Sequence, residues 1–378
     1  MPQETILSNA QIVLEDEIVT GSILIRDGLI AGMDSDRSSR GEDMAGDYVI
    51  PGLVELHTDH LESHYSPRPG VVWDSLAALQ AHDGQVASSG ITTVFDCLRI
   101  GSDEDSGFKQ GEMRAIADAI RYATSEDRLR ASHFVHLRCE VSAADVLEHF
   151  ADFHGDPQIK LASLMDHAPG QRQFQTLDQY SLYYKKKRRL NDADFERFVA
   201  RRIEESKRYA DPHRRAIVEA CDEQGIALAS HDDATVEHVE ESKNFGVRVA
   251  EFPTSMEAAK ASHQAGMAVL MGAPNVVRGK SHSGNISAKE LASAGVLDVL
   301  SSDYVPFSLI HAPFVLADEG RMSLSQSIRL VTATPARTVG LTDRGSIASG
   351  LRADLVRVRR KAGVPVVRSV WREGRRVA

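Results

Sequence analysis

Short apolar runs alternate with amphipathic stretches along the chain from about Gly52 to Pro335. The runs LVELH, ITTVFD, HFVHLRCE, IKLASLMDH, IALASHDD, VRVAEF, AVLMGAPN and LDVLSSDY have the length and side chains of buried strands. Between several of them lie segments of helical period, such as WDSLAALQAHDGQVASSG, GEMRAIADAIRYATSEDRLRA and PHRRAIVEACDEQG. This repeated alternation predicts an α/β fold with a parallel sheet and helices outside, and its length suits a (β/α)8 TIM barrel. A doubly wound sheet is the second reading, but no GxGxxG follows the first strand. Both ends of the chain read differently. TILSNAQIVL and EIVTGSILIRDGLIAGMD at one end, and GSIASGLRADLVRVRR and GVPVVRSVWREGRRV at the other, are β-branched and broken by Gly, Asp and Pro. They predict one small β-sandwich-like domain from residues 1–52 plus 345–378, leaving 53–344 to the barrel. Two unrelated edge hairpins are the plainer alternative.

The polar residues fall where a barrel would use them. Apolar runs end in His57, Asp59, Asp96, Glu140, His167, His231 and Asp303, and in parallel α/β folds the C-terminal strand ends converge on the active site. One histidine in such a place is ordinarily a satisfied structural residue. Six strands ending this way are hard to attribute to packing. On a strand, residues two apart share a face, so His57 and Asp59 are expected to chelate one divalent ion such as Zn²⁺ or Mn²⁺. His60, Glu62 and His64 follow and are read as loop residues that touch substrate or solvent. His136 and Arg138 share the face of Glu140 by the same period of two. SSD around Asp303 is also cap composition, so a helix N-cap is the competing role for that residue.

Composition narrows the class. With 44 Lys+Arg against 54 Asp+Glu, the formal net charge is −10, which argues against a general nucleic-acid binder. Any anionic ligand must then be held by a local basic cluster. Cys97, Cys139 and Cys221 are odd in number, widely spaced and without CxxC, as expected for reduced thiols. The N-terminal residues lack the basic flank of a signal peptide, and no apolar run approaches the roughly 20 residues of a membrane span. The expected location is the cytoplasm.

The sequence resembles the amidohydrolase superfamily. The resemblance rests on PGLVELHTD at the end of the first barrel strand, GITTV on the second, lone histidines on two later strands, Asp303 in LSSDY on the last, and the flanking β-domain. One departure is Asp59, which stands where the superfamily usually has the second histidine of His-x-His. The resemblance implies a hydrolase with two divalent metal ions, Zn first and Mn or Fe as alternatives, bridged by a carboxylated Lys or a Glu from a middle strand. Lys160 precedes His167 by seven residues in one run, about 23 Å at ~3.3 Å per residue, which puts it near the barrel floor. Glu140 closes its strand and is the expected bridge. His167 and His231 would take the places of the two lone histidines. Asp303 would collect the proton of a metal-bound water, whose pKa a divalent ion lowers towards about 7.

HTDHLESHYSPRPG, SLMDHAPGQRQF and GAPNVVRGKSHSGN further resemble the diphosphatase branch of that superfamily, which acts on a sugar 5-triphosphate in phosphonate breakdown by the carbon–phosphorus lyase route. A triphosphate needs cationic donors, and guanidinium is the best fork for phosphate oxygens. Arg68, Arg172, Arg278 and Lys280 are the candidates, with Ser281 and His282 beside them in a loop of phosphate-gripping composition. The run YYKKKRR, Tyr183 to Arg189, reads as a solvated helix face. Asp96 reads as touching substrate or bonding a neighbouring loop. A cyclic amidase or deaminase is the competing enzymatic reading, and a scaffold subunit without metals the non-enzymatic one. Oligomeric state stays open, a homo-oligomer included.

Overall fold

A computed structural model describes residues 4–35, 40–101, 111–172, 180–181, 191–281, 285–360 and 363–378. The basic run Tyr183 to Arg189 and His282 lie outside the described residues. The N-terminal strands are β1 (Glu4–Val13), β2 (Ile18–Arg26), β3 (Leu29–Asp34), β4 (Glu42–Asp43) and β5 (Tyr48–Pro51). The eight apolar runs form β6 (Leu53–Thr58), β7 (Ile91–Ile100), β8 (Ser132–Glu140), β9 (Ile159–Met165), β10 (Ala227–His231), β11 (Val249–Glu251), β12 (Ala268–Gly272) and β13 (Val299–Ser301). They lie in one sheet in that order, and a parallel bridge between Thr58 and Asp303 joins the two ends of the series. The fold is a (β/α)8 barrel accompanied by a mixed sheet from both termini. Strands such as β6 and β10 are buried at every position, as expected where helices cover a parallel sheet.

The second sheet adds β14 (Leu355–Arg359), β15 (Val366–Arg372) and β16 (Arg375–Arg376) in the order β16-β15-β14-β5-β1-β2-β3. Val356 pairs with Ile50 and Leu355 with Pro51, so the two chain ends share one ladder. Its inward faces bury Leu7, Ile12, Ile23, Ile25, Met44, Val49, Leu355 and Trp371. By contacts the chain divides into two compact units, one of Met1–Asp96, Asp118–Phe134 and Met271–Ala378, the other of Cys97–Ala117 and Val135–Leu270. Cys97, Cys139 and Cys221 are buried and in no disulfide. No described helix is long and apolar enough to cross a membrane.

Gly52 links β5 to β6, and its N–H donates to the Asp354 carbonyl at 2.7 Å. A Cβ there would sit 2.7 Å from Thr92 Cγ2 and closer still to its hydroxyl, on a buried neighbour with nowhere to go. Gly52→Ala is expected to destabilise the protein by about 1–3 kcal/mol through overpacking. Urea unfolding of wild type and variant measures it, and an unchanged midpoint would show that the seam yields freely.

Candidate metal centre

In the first unit, β6 delivers His57 and then stops at Thr58. Asp59 is therefore not on the strand, as period-two reasoning expects, but at the entry of the short helix His60–Tyr65, with φ −91° and ψ 8°. The chain from Ser302 restores the pairing. Asp303 N–H donates to the His57 carbonyl at 3.1 Å, Asp59 N–H donates to the Asp303 carbonyl at 3.0 Å, and Thr58 Oγ1 donates to the same carbonyl at 3.0 Å. One ligand atom from each of His57, Asp59 and Asp303 falls within 4.8 Å of the other two. Asp303 holds φ +56°, a left-handed conformation uncommon outside Gly, Asn and Asp. The next helix begins at Ser308 behind Phe307, so Asp303 is not its cap.

Glu55, two residues before His57 and fully buried, fastens this corner. One of its oxygens accepts His57 N–H at 2.7 Å and the other accepts Ser302 N–H at 2.5 Å. Burial pushes its carboxyl up to about 7, against the pull of those two donors.

In the second unit, His167 and His231 stand with ring centres 5.6 Å apart, and Asp232 joins them in a group whose ligand atoms lie within 4.8 Å. His231 Nδ1 meets Glu251 Oε2 at 3.2 Å. Burial lowers the basicity of His231, and Asp232 and Glu251 oppose it. Glu140, the expected bridge, stands against His167. Its Oε2 meets His167 Nδ1 at 2.6 Å, and its Oε1 accepts the Ser142 hydroxyl at 2.6 Å and His167 N–H at 3.1 Å. Arg202 and Arg99 stand at 3.4 and 3.5 Å. Burial resists ionisation of Glu140, yet His167 and the two guanidiniums outweigh it and hold the carboxyl well below the usual range. Both oxygens are thus engaged by protein donors, the arrangement of a carboxylate that orients a histidine. His136 likewise has protein partners, Ser163 Oγ at 2.6 Å and Cys97 Sγ at 3.6 Å. Lys160 is the second residue of β9, at its N-terminal end and partly exposed.

The four expected phosphate cations divide. Arg172 is buried, and its guanidinium donates to Asp233 and, at 2.6 Å, to Glu241. That corrects its reading as a cation open to phosphate, because a buried guanidinium needs counter-charge and here it has two carboxylates. Arg278 and Lys280 are exposed. GAPNVVR is a helix, Ala273–Arg278, rather than a loop, opened by Pro274 and ended by Gly279 at φ +78°. Arg68 is exposed on a turn whose carbonyl accepts Val71 N–H at 3.0 Å.

Sequence reasoning missed a fully buried group on the first unit. Asp96 accepts from His82 Nε2 at 2.8 Å and from His133 Nδ1 at 2.7 Å, and His133 Nε2 reaches Asp83 at 3.2 Å. Burial opposes charge on His133, but Asp96 and Asp83 overcome it and carry the imidazole up to about 9. The partners that Asp96 has here are thus one residue of a helix and one of a strand, where a neighbouring loop or substrate was expected. His82 gave no signal because it sits mid-helix, where a lone histidine carries no strand-end meaning.

Residues 76–378 match the amidohydrolase family. Over 98% of this chain and 100% of the relative, the sequence is 44% identical to the alpha-D-ribose 1-methylphosphonate 5-triphosphate diphosphatase of Escherichia coli (strain K12). Among solved structures, N-acetylglucosamine-6-phosphate deacetylase from Thermotoga maritima is similar with a TM-score of 0.62 at 16% identity, covering 99% of each chain. Dihydropyrimidinase from Brevibacillus agri is similar with a TM-score of 0.61 at 14% identity, covering 99% of this chain and 95% of that one. At such identities the likeness is one of fold.

Proposed function

The chain belongs to the amidohydrolase family, and from that premise we propose that it is a metal-dependent diphosphatase. Its substrate in this reading is α-D-ribose 1-methylphosphonate 5-triphosphate, which water cleaves to the 5-phosphate and diphosphate during phosphonate catabolism. The observation that carries the reading is the corner at Thr58 and Asp303, where one imidazole and two carboxylates converge within 4.8 Å. Such a donor set suits a divalent ion of the Zn²⁺ or Mn²⁺ kind. His167, His231 and Asp232 offer a second set of the same character, so the reading takes two ions, one on each set. The same reading treats residues 1–52 with 345–378 as the small β-domain and 53–344 as the hydrolase barrel.

When bound, the ions acidify water and shield phosphate charge. The chain's own residues do the rest. Glu55 fixes His57, and Glu140 fixes His167 through Nδ1, leaving Nε2 of that ring to ligate. The Asp303 carboxylate takes the proton of the attacking water and returns it to the oxygen of the leaving diphosphate. Arg68, Arg278 and Lys280 bind the phosphate chain, while Arg172 positions the segment after β10 through Asp233.

The test is release of diphosphate from the ribose 5-triphosphate by metal-loaded protein, run beside a dihydropyrimidine amide. Hydrolysis of the amide with an inert triphosphate would hand the assignment to the cyclic amidases. Arg278→Ala and Lys280→Ala should each weaken kcat/KM for the triphosphate by about one to two decades, the value of a charged hydrogen bond. A neutral amide should feel neither change. A triphosphate rate indifferent to both would remove these cations from the site.

A further inference from the structure

Beside the His57 corner, the first unit gathers three more imidazoles that none of the foregoing chemistry uses. The helix His60–Tyr65 places His60 and His64 one turn apart, so both rings leave the same face, with centres 5.0 Å apart. His82, from the helix Ser75–Ser88, lies with its ring centre 5.8 Å from His60 and 6.0 Å from His64. His60 Nε2 and His82 Nδ1 are both buried without a hydrogen-bond partner, and His82 as a whole is 0% exposed. A buried polar atom left unsatisfied is destabilising, and two such atoms in one cluster ask for a shared ligand.

We propose that His60, His64 and His82 form a separate metal-binding socket for a borderline divalent ion such as Zn²⁺ or Cu²⁺. In a three-histidine site each nitrogen stands about 2.1 Å from the ion, which sets the ring centres about 5–5.5 Å apart. The observed spacings, 5.0, 5.8 and 6.0 Å, lie at or above that value, so His60 and His64 must turn toward the fixed ring of His82 to close on an ion. Imidazole is the ligand these ions prefer when no thiolate is offered. The outer shell has the form that ligating histidines use. Asp96 grips His82 Nε2 at 2.8 Å and is itself held by His133 and, through it, by Asp83, which fixes the His82 ring and leaves Nδ1 as its ligating atom. His64 is partly exposed, its Nε2 only loosely engaged with Gln85 Oε1 at 3.3 Å, so the ion enters past this ring and keeps a position for water.

The socket is tested by counting ions. Chelator-treated protein is dialysed against Zn²⁺ and, separately, Cu²⁺, and bound metal is measured for wild type, His64→Gln, His60→Gln and Asp59→Asn. The expected result is one equivalent fewer in each histidine variant, with the other equivalents kept. Its affinity should fall by more than about 100-fold, since outer partners alone are worth about 10–100-fold. Asp59→Asn should keep this equivalent, and its Cu²⁺ form should show splitting from three nitrogens in electron paramagnetic resonance. Equal stoichiometry in wild type and both histidine variants overturns the proposal, as does loss of every equivalent together. Circular dichroism checks that each variant folds, and if one does not the other decides. None of these readings depends on the substrate.

Discussion

Asp303→Asn should lower turnover by about two to four decades, the usual worth of a positioned acid–base group, while keeping the fold and most bound metal. The structure makes this substitution a clean one. Asn tolerates the left-handed backbone that Asp303 adopts at φ +56°, whereas Ala there would add strain. The contacts that place the residue, to His57, Thr58 and Asp59, run through its main chain and survive the change. The amide oxygen can still ligate, but an amide cannot take a proton from water. Steady-state kinetics on metal-replete variant gives the answer, and near-normal turnover would end the proton-carrying role.

Glu140→Gln is the second large effect, and it should strike stability and metal together. The carboxylate is 0% exposed and compensates Arg202, Arg99 and the imidazole of His167. Removing one partner from a buried charged group costs about 3–5 kcal/mol, which urea unfolding would read. His167, released at Nδ1, should lose its orientation, so the metal content of the second unit and the turnover should fall in parallel. Lys160→Ala, at the start of β9, should leave metal content unchanged. If that variant empties the protein of metal and Glu140→Gln does not, the roles of the two residues are exchanged.

The eight barrel strands were legible because strands covered on both faces must be apolar nearly throughout, and their polar ends then stand out. His57, His167, His231 and Asp303 could be picked out for that reason. Asp59 was found by a false geometry, since a strand that ends at Thr58 hands the next residue to a helix, and only the return of Asp303 brings its carboxylate back beside His57. The partners of Arg172 could not be read at all. Asp233 and Glu241 lie 61 and 69 positions further along the chain, and no local pattern links a cation to its counter-charge at that distance. Glu140 shows the same limit. Its place at a strand end was clear, but whether its oxygens face an ion or a neighbouring imidazole depends on Ser142, Arg99 and Arg202 at once. The pair His82 and His133 was hidden for a further reason: one is in mid-helix and the other at the start of a strand, so neither position marks chemistry.

The bridge between Thr58 and Asp303 spans 245 positions of sequence, and this gives the site a place in time. A ribosome has to deliver nearly the whole barrel before the last strand can meet the first, and closing so long a loop carries an entropic cost that only native partners repay. Contacts of this range also slow folding compared with local ones. His57, Asp59 and Asp303, the ligands proposed for one ion, can therefore meet only after the chain has been made as far as Asp303. An ion bound there adds its binding free energy to the closed form alone. Metal supply in the cell would then decide how firmly the finished ring stays shut.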